Sequence, residues 1–122
     1  MKQRKFPWIS ALPEPRAELP ALVAQCTGYG MAARLSLELK PGGPWTDSWL
    51  AQRIGIKSRG HMSRMLNDKQ AMPRWMLTPI AWATGSKAIL QYDQLQRALR
   101  IAAGETERDA VIRLAQLARA AA

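Results

Sequence analysis

Apolar residues recur at helical spacing through most of this chain, and no stretch reads as a strand. Residues 21–27 read as a short helix ended by Gly28 and Gly30. Residues 31–40 read as a second, with Met31, Leu35 and Leu39 at i, i+4 and i+8 as its inward stripe. Pro41-Gly42-Gly43-Pro44 is the strongest break in the chain. Beyond it, Thr46 or Asp47 caps a helix that turns Leu50, Ala51 and Ile54 inward and stops at Gly55. With Thr46 as the cap, Trp45 and Leu50 have the spacing of a hydrophobic staple.

Ser58 then caps a helix that runs to about Asn67 and carries Met62, Met65 and Leu66 as its apolar stripe. Met72-Pro73 opens the next, through Trp75, Met76, Leu77, Ile80 and Trp82 to Thr84-Gly85, with Pro79 bending or dividing it. Ser86 caps a helix carrying Ile89, Leu90, Leu95 and Leu99 that ends near Gly104. A last helix from Glu105 has Val111, Leu114, Ala115, Leu117 and Ala118 as apolar positions. Its acids come early and Arg113 and Arg119 late, in the order that suits the helix dipole.

The expected architecture is all-α: a compact bundle of five to seven helices containing two short helices in tandem, with an extended Pro-rich N-terminal arm. The arm covers residues 1–20, where four prolines argue against helix or central strand. Phe6, Trp8, Ile9 and Leu12 could pin it to the body, and Lys2, Arg4 and Lys5 could touch phosphates. The main domain covers 21–103 and a C-terminal amphipathic helix 104–122. Trp49, Trp75 and Trp82 fall at helical spacings and are assigned to the core, as is the lone Cys26.

Charge sharpens this picture. Eighteen Lys and Arg oppose nine Asp and Glu in 122 residues, a formal charge of +9 that favours a polyanionic partner. Between Trp45 and Trp75 there are six basic residues against two acids. The lone cysteine fits a reducing compartment. Pro7 and Pro13 interrupt the only short apolar stretch behind the basic start, so neither a signal sequence nor a membrane span is expected. The expected location is cytoplasmic, in a bacterium with access to the nucleoid.

The segment around 46–67 carries the most specific pattern. Ala51 is small where two helices cross, Gly55 ends the first helix, Ile56 fills the angle between them, and Met62 and Met65 anchor the second. On Leu50-Ala51, Ile54-Gly55-Ile56 and Met62-Ser63-Arg64-Met65 the segment resembles the helix-turn-helix of phage repressors and activators of the Cro/cI and cII type. The likeness covers about twenty residues closely and extends loosely from Met31 to Leu99, with Trp75 to Tyr92 resembling the helix pair that closes the core in cII-like proteins. Gly55 to Met62 is one residue longer than in the commonest form of the motif, which implies a longer turn and moves the reading register by about one position.

The resemblance implies a sequence-specific, double-stranded DNA-binding transcriptional regulator that reads the major groove with residues 58–67. Arg59, Gly60, His61, Ser63, Arg64 and Asn67 would face base edges, and Thr46, Gln52, Lys57, Ser58, Lys69 and Arg74 would grip phosphates. One such motif covers a half-site, so a homodimer or higher homo-oligomer is expected, with Leu95, Leu99, Val111, Leu114 and Ala118 as its surface or, equally, packed back on the core. Nothing supports catalysis, a metal or a cofactor: there is one histidine, no Cys/His pair and no phosphate-binding glycine loop. Two further readings stay open. The same body could bind and inhibit a host protein, or exposed tryptophans could stack on single-stranded nucleic acid.

Overall fold

A computed structural model describes residues 13–121, so the expectations for Lys2, Arg4, Lys5, Phe6, Trp8, Ile9 and Leu12 lie outside the described residues. Among the described residues seven α-helices follow one another: α1 (Pro20–Ala24), α2 (Tyr29–Leu39), α3 (Asp47–Ile54), α4 (Arg59–Leu66), α5 (Leu77–Thr84), α6 (Ala88–Ala102) and α7 (Glu107–Ala121). No strand occurs among the described residues, and the fold is all-α. Ahead of α1, Arg16 forms an isolated β-bridge with Ser86: its N–H donates to the Gly85 carbonyl at 3.0 Å, and the Lys87 N–H returns a bond at 2.8 Å. The Gln91 amide spans the Glu18 backbone, accepting from its N–H at 2.9 Å and donating to its carbonyl at 3.0 Å. These bonds tie residues 16–18 to the start of α6.

The core is one cluster in which Val23, Leu37, Leu50, Ile54, Met62, Met65, Leu66, Met76, Ile80, Ile89 and Tyr92 are buried. Cys26 is part of it, and burial, then the nearby Asp68 charge, raises its thiol pKa. Of the tryptophans assigned to the core, Trp49 and Trp82 are half-buried, while Trp75 is 43% exposed on the short 3₁₀ turn Arg74–Met76.

Two local expectations change. Gly28 and Gly30 do not end a helix. Gly28 is the N-cap of α2 and Gly30 sits in its first turn, because the Asp68 carboxylate caps that end from across the fold. It accepts from Gly30 N–H at 2.8 Å and Met31 N–H at 3.2 Å. The buried face of α2 is accordingly Gly30, Ala32, Ala33, Ser36 and Leu37, and Met31 is exposed. Small residues win this face because α2 crosses the end of α4 at close range: a Cβ at Gly30 would run into the Met65 carbonyl oxygen and the Leu66 backbone. Of the expected stripe, Leu35 packs at the edge of the core and Leu39 is half-buried, so the spacing of large apolar residues pointed to the margin of the buried face and not to its centre.

Pro79 is the second. The helix expected to bend or divide at Pro79 is divided ahead of it, with the 3₁₀ turn at Arg74–Met76 leading into α5. Pro79 thereby falls in the first turn of α5, where its missing N–H would have had no intrahelical partner.

Candidate nucleic-acid interface

α3 and α4 are short because each is bounded at both ends by its own sequence. The Thr46 hydroxyl accepts from the Trp49 N–H at 3.1 Å, so Thr46, not Asp47, is the N-cap of α3. Trp45, just ahead, packs on the core with its ring 4.6 Å from that of Trp49, and the Lys40 ammonium lies 5.0 Å from the Trp45 ring. Gly55 closes α3 at φ 86°, which lets the Ile56 N–H reach back to the Ala51 carbonyl at 2.8 Å. After residues 55–58, the Ser58 hydroxyl accepts from the His61 N–H at 3.1 Å and starts α4.

α4 ends differently. Asn67 is its C-cap and Asp68 takes the left-handed conformation at φ 57°. The Lys69 N–H reaches the Arg64 carbonyl at 2.8 Å and the Asp68 N–H the Met65 carbonyl at 3.2 Å, the paired bonds of a Schellman cap. The residue whose backbone stops α4 is the one whose carboxylate starts α2, so a single residue fixes where the two helices cross.

Around α4 the chain separates apolar from polar. Met62, Met65 and Leu66 are fully buried, while Arg59, Gly60, Arg64 and Asn67 are exposed and His61 and Ser63 half-buried. Gln52, Lys57, Ser58 and Lys69 are exposed beside them. From residue 53 to 69 there are five basic residues and one acid, Asp68, which is engaged with α2. Arg59 and Lys57 make no side-chain hydrogen bond or ion pair with any described residue.

Besides the capping hydroxyls of Thr46 and Ser58, the expected site residues His61, Ser63, Arg64, Asn67 and Arg74 already have side-chain partners. The Asn67 amide oxygen accepts from Arg34 at 2.9 and 3.3 Å, and its nitrogen donates to the Ser63 hydroxyl at 3.4 Å. Arg64 donates through Nε to Gln70 at 3.0 Å. Arg74 is engaged by α6, its two terminal nitrogens donating to Asp93 at 3.0 and 2.8 Å. The Tyr29 hydroxyl donates to the same carboxylate at 2.7 Å, and Arg97 lies 3.4 Å from it. Burial works against charge on Asp93, but the Arg74 and Tyr29 bonds and the two guanidinium charges outweigh it, so its pKa is lowered. The same bond to Asp93 raises the pKa of Arg74. Burial, reinforced by the Asp93 bond, raises that of Tyr29.

Sequence reading missed Arg34, Gln70 and Asp93. Arg34 pairs with Asp47 at 3.2 Å while holding Asn67, and so joins α2 to the start of α3 and the end of α4. None of the three belongs to a recognisable spacing: Arg34 and Asp93 act on residues distant in sequence, and Gln70 reaches back six and nine residues from beyond the helix.

The residues expected to form an oligomer surface split. Leu99 and Val111 are 54% and 66% exposed and Ala118 is exposed, whereas Leu95 and Leu114 are half-buried. Ile101 and Ile112 add to the exposed set. No described side chain of α7 is buried. The helix is tethered by Glu105, which lies 3.4 Å from Arg100 and 3.0 Å from Arg113. No helix among the described residues is long and apolar enough to cross a membrane. No family model, characterised protein or solved structure matches the chain.

Proposed function

We propose that this chain is a sequence-specific regulator that binds double-stranded DNA through α3 and α4 as a helix-turn-helix, with α4 in the major groove. The observation that carries the reading is the division of α4. Its apolar residues are consumed by the core, and its first turn presents Arg59 and Gly60, with Lys57 just ahead of the helix, Lys69 just past its end, and no acid left unengaged nearby. The N-terminal turn of a reading helix is the part that meets base edges. Arg59 and Arg64 can each present a fork to guanine O6 and N7, and the Thr46, Gln52, Lys57, Ser58 and Lys69 positions supply phosphate contacts. Asn67 and Arg74 drop out of this set, because their polar atoms are spent on Arg34, Ser63 and Asp93.

Two copies are part of the proposal. The exposed apolar residues of α6 and α7 are the surface that a second copy would cover. Antiparallel pairing of α7 would set Glu107 and Asp109 of one helix near Arg119 of the other. A homodimer predicts a two-fold symmetric site.

The test is selection from random duplex DNA at two salt concentrations. Phosphate contacts weaken steeply with salt, whereas base reading preserves a preference among sequences. The expected result is a roughly palindromic motif whose affinity falls about tenfold or more with Arg59→Ala or Arg64→Ala. Binding that disappears with salt and enriches no sequence would overturn the proposal and turn attention to an acidic protein partner.

A further inference from the structure

Gln70 lies beyond the end of α4, half-buried, and touches two residues of that helix at once. Its side-chain oxygen accepts from Arg64 Nε at 3.0 Å, and its nitrogen stands 3.1 Å from His61 Nε2. The orientation of this amide follows from chemistry. Arginine only donates, so the atom facing Arg64 must be the oxygen, and the NH2 group faces His61. An amide NH2 cannot accept, so His61 Nε2 must be the acceptor and the imidazole proton must sit on Nδ1.

From this geometry we infer that Gln70 is the positioning residue for base reading by α4, holding Arg64 by Nε and fixing His61 as its neutral Nδ1–H tautomer. The inference rests on the reading of α4 proposed above. With Nε engaged, Arg64 keeps both terminal nitrogens for a bidentate partner. Gly60 lies beside this guanidinium: a Cβ there would stand 3.4 Å from Arg64 Nη1, in van der Waals contact with it. His61 in turn is left with a single donor, Nδ1–H. It can address only an acceptor, such as a purine N7, guanine O6, thymine O4 or a phosphate oxygen. One side chain outside the helix therefore sets both the placement of one reading residue and the hydrogen-bond sense of another.

The experiment compares the full chain with Gln70→Ala and Gln70→Glu in the same duplex selection. Long-range ¹H–¹⁵N spectra of His61 in the free proteins accompany it, with melting curves as a control. The wild type is expected to show the Nδ1–H tautomer and a motif with positions that flatten in Arg64→Ala and His61→Ala. Gln70→Ala should flatten those same positions, by about tenfold in preference, and leave the remaining positions and the salt slope unchanged. Glutamate keeps an acceptor for Arg64 but offers His61 no donor. Gln70→Glu should therefore restore the Arg64 position, leave the His61 position altered and move the proton of His61 to Nε2.

Gln70→Ala enriching the wild-type motif unchanged, or a wild-type His61 carrying its proton on Nε2, would overturn the positioning role and leave α4 as the reading helix. A uniform loss of affinity for all sequences that follows a lowered melting temperature would also overturn it, as a structural effect. A wild-type chain that enriches no motif overturns both readings together.

Discussion

Arginine is used in opposite ways in two regions of this molecule. Around Asp93, Arg74 brings both terminal nitrogens to one buried carboxylate, with Arg97 and the Tyr29 hydroxyl completing the shell. Around α4, Arg59 has no described partner and Arg64 is bound only through Nε, so their forks face solvent. Within the first group, the Arg74 fork is closed on a carboxylate and its field is spent on the fold. In the second the charge is unbalanced and open to an outside anion. A net charge of +9 is therefore a poor guide to where a polyanion would sit, and the bonding state of each guanidinium is a better one.

The largest effect should come from breaking the closed region. Asp93→Ala removes the acceptor of Arg74, Tyr29 and Arg97 at once and leaves a half-buried guanidinium and a phenol without partners. The expected cost is about 2–4 kcal/mol, read as a lower urea midpoint. The same carboxylate sets an acid limit. Its folded pKa is depressed, so its contribution is complete above the ordinary carboxylate value of about 4 and is lost as pH falls through the folded value. The slope of stability against pH below about 4 should therefore be shallower in Asp93→Asn than in the wild type. Equal slopes would show that Asp93 is not held charged by this shell.

A middle-sized effect is expected at Asp68, which belongs to both regions. Its backbone closes α4 in the left-handed region and its carboxylate caps α2. Asp68→Ala loses two charge-assisted bonds and places a residue with no local polar compensation at positive φ, for about 1–2 kcal/mol. Asp68→Asn keeps an acceptor and tolerates the conformation, and should cost about half as much. A fall in hydrogen-exchange protection confined to the first turn of α2 would locate the loss.

Much of this was legible in the sequence. Thr46, Gly55, Ser58 and the Met62/Met65/Leu66 stripe announce α3 and α4, because caps and helical periodicity are local and act within four residues. The face of α2 was not, because it is decided by backbone approach: Gly30 and Ala33 win over Met31 only once α4 is known to cross there. The candidate site divides in the same way. The exposed first turn of α4 follows from its own pattern, whereas the engagement of Asn67 by Arg34 lies across 33 residues of chain and that of Arg74 by Asp93 across 19. Ion pairing between distant residues leaves no period in a sequence, so a basic residue near a motif reads the same whether its nitrogens are spent or open.

The smallest effect on stability, and the sharpest test of the comparison, is Arg59→Ala. Arg59 stands in the first turn of α4, is exposed, and makes no side-chain bond with a described residue. A cation in that turn is mildly unfavourable against the helix dipole, and alanine has the higher helix propensity. The variant should therefore melt within about 0.5 kcal/mol of the wild type, or slightly above it. Arg74→Ala, with the same loss of charge, should melt well below because it leaves the buried Asp93 carboxylate with only Tyr29 and Arg97. Both substitutions lower the net charge equally, so a general electrostatic attraction would weaken DNA binding equally in the two. If instead Arg59→Ala loses affinity at unchanged stability, while Arg74→Ala loses stability and keeps its sequence preference wherever it remains folded, the division of labour between the two regions holds. A stability loss at Arg59 matching that at Arg74 would show that the α4 face is built for the fold, and the open fork would have no function left to explain.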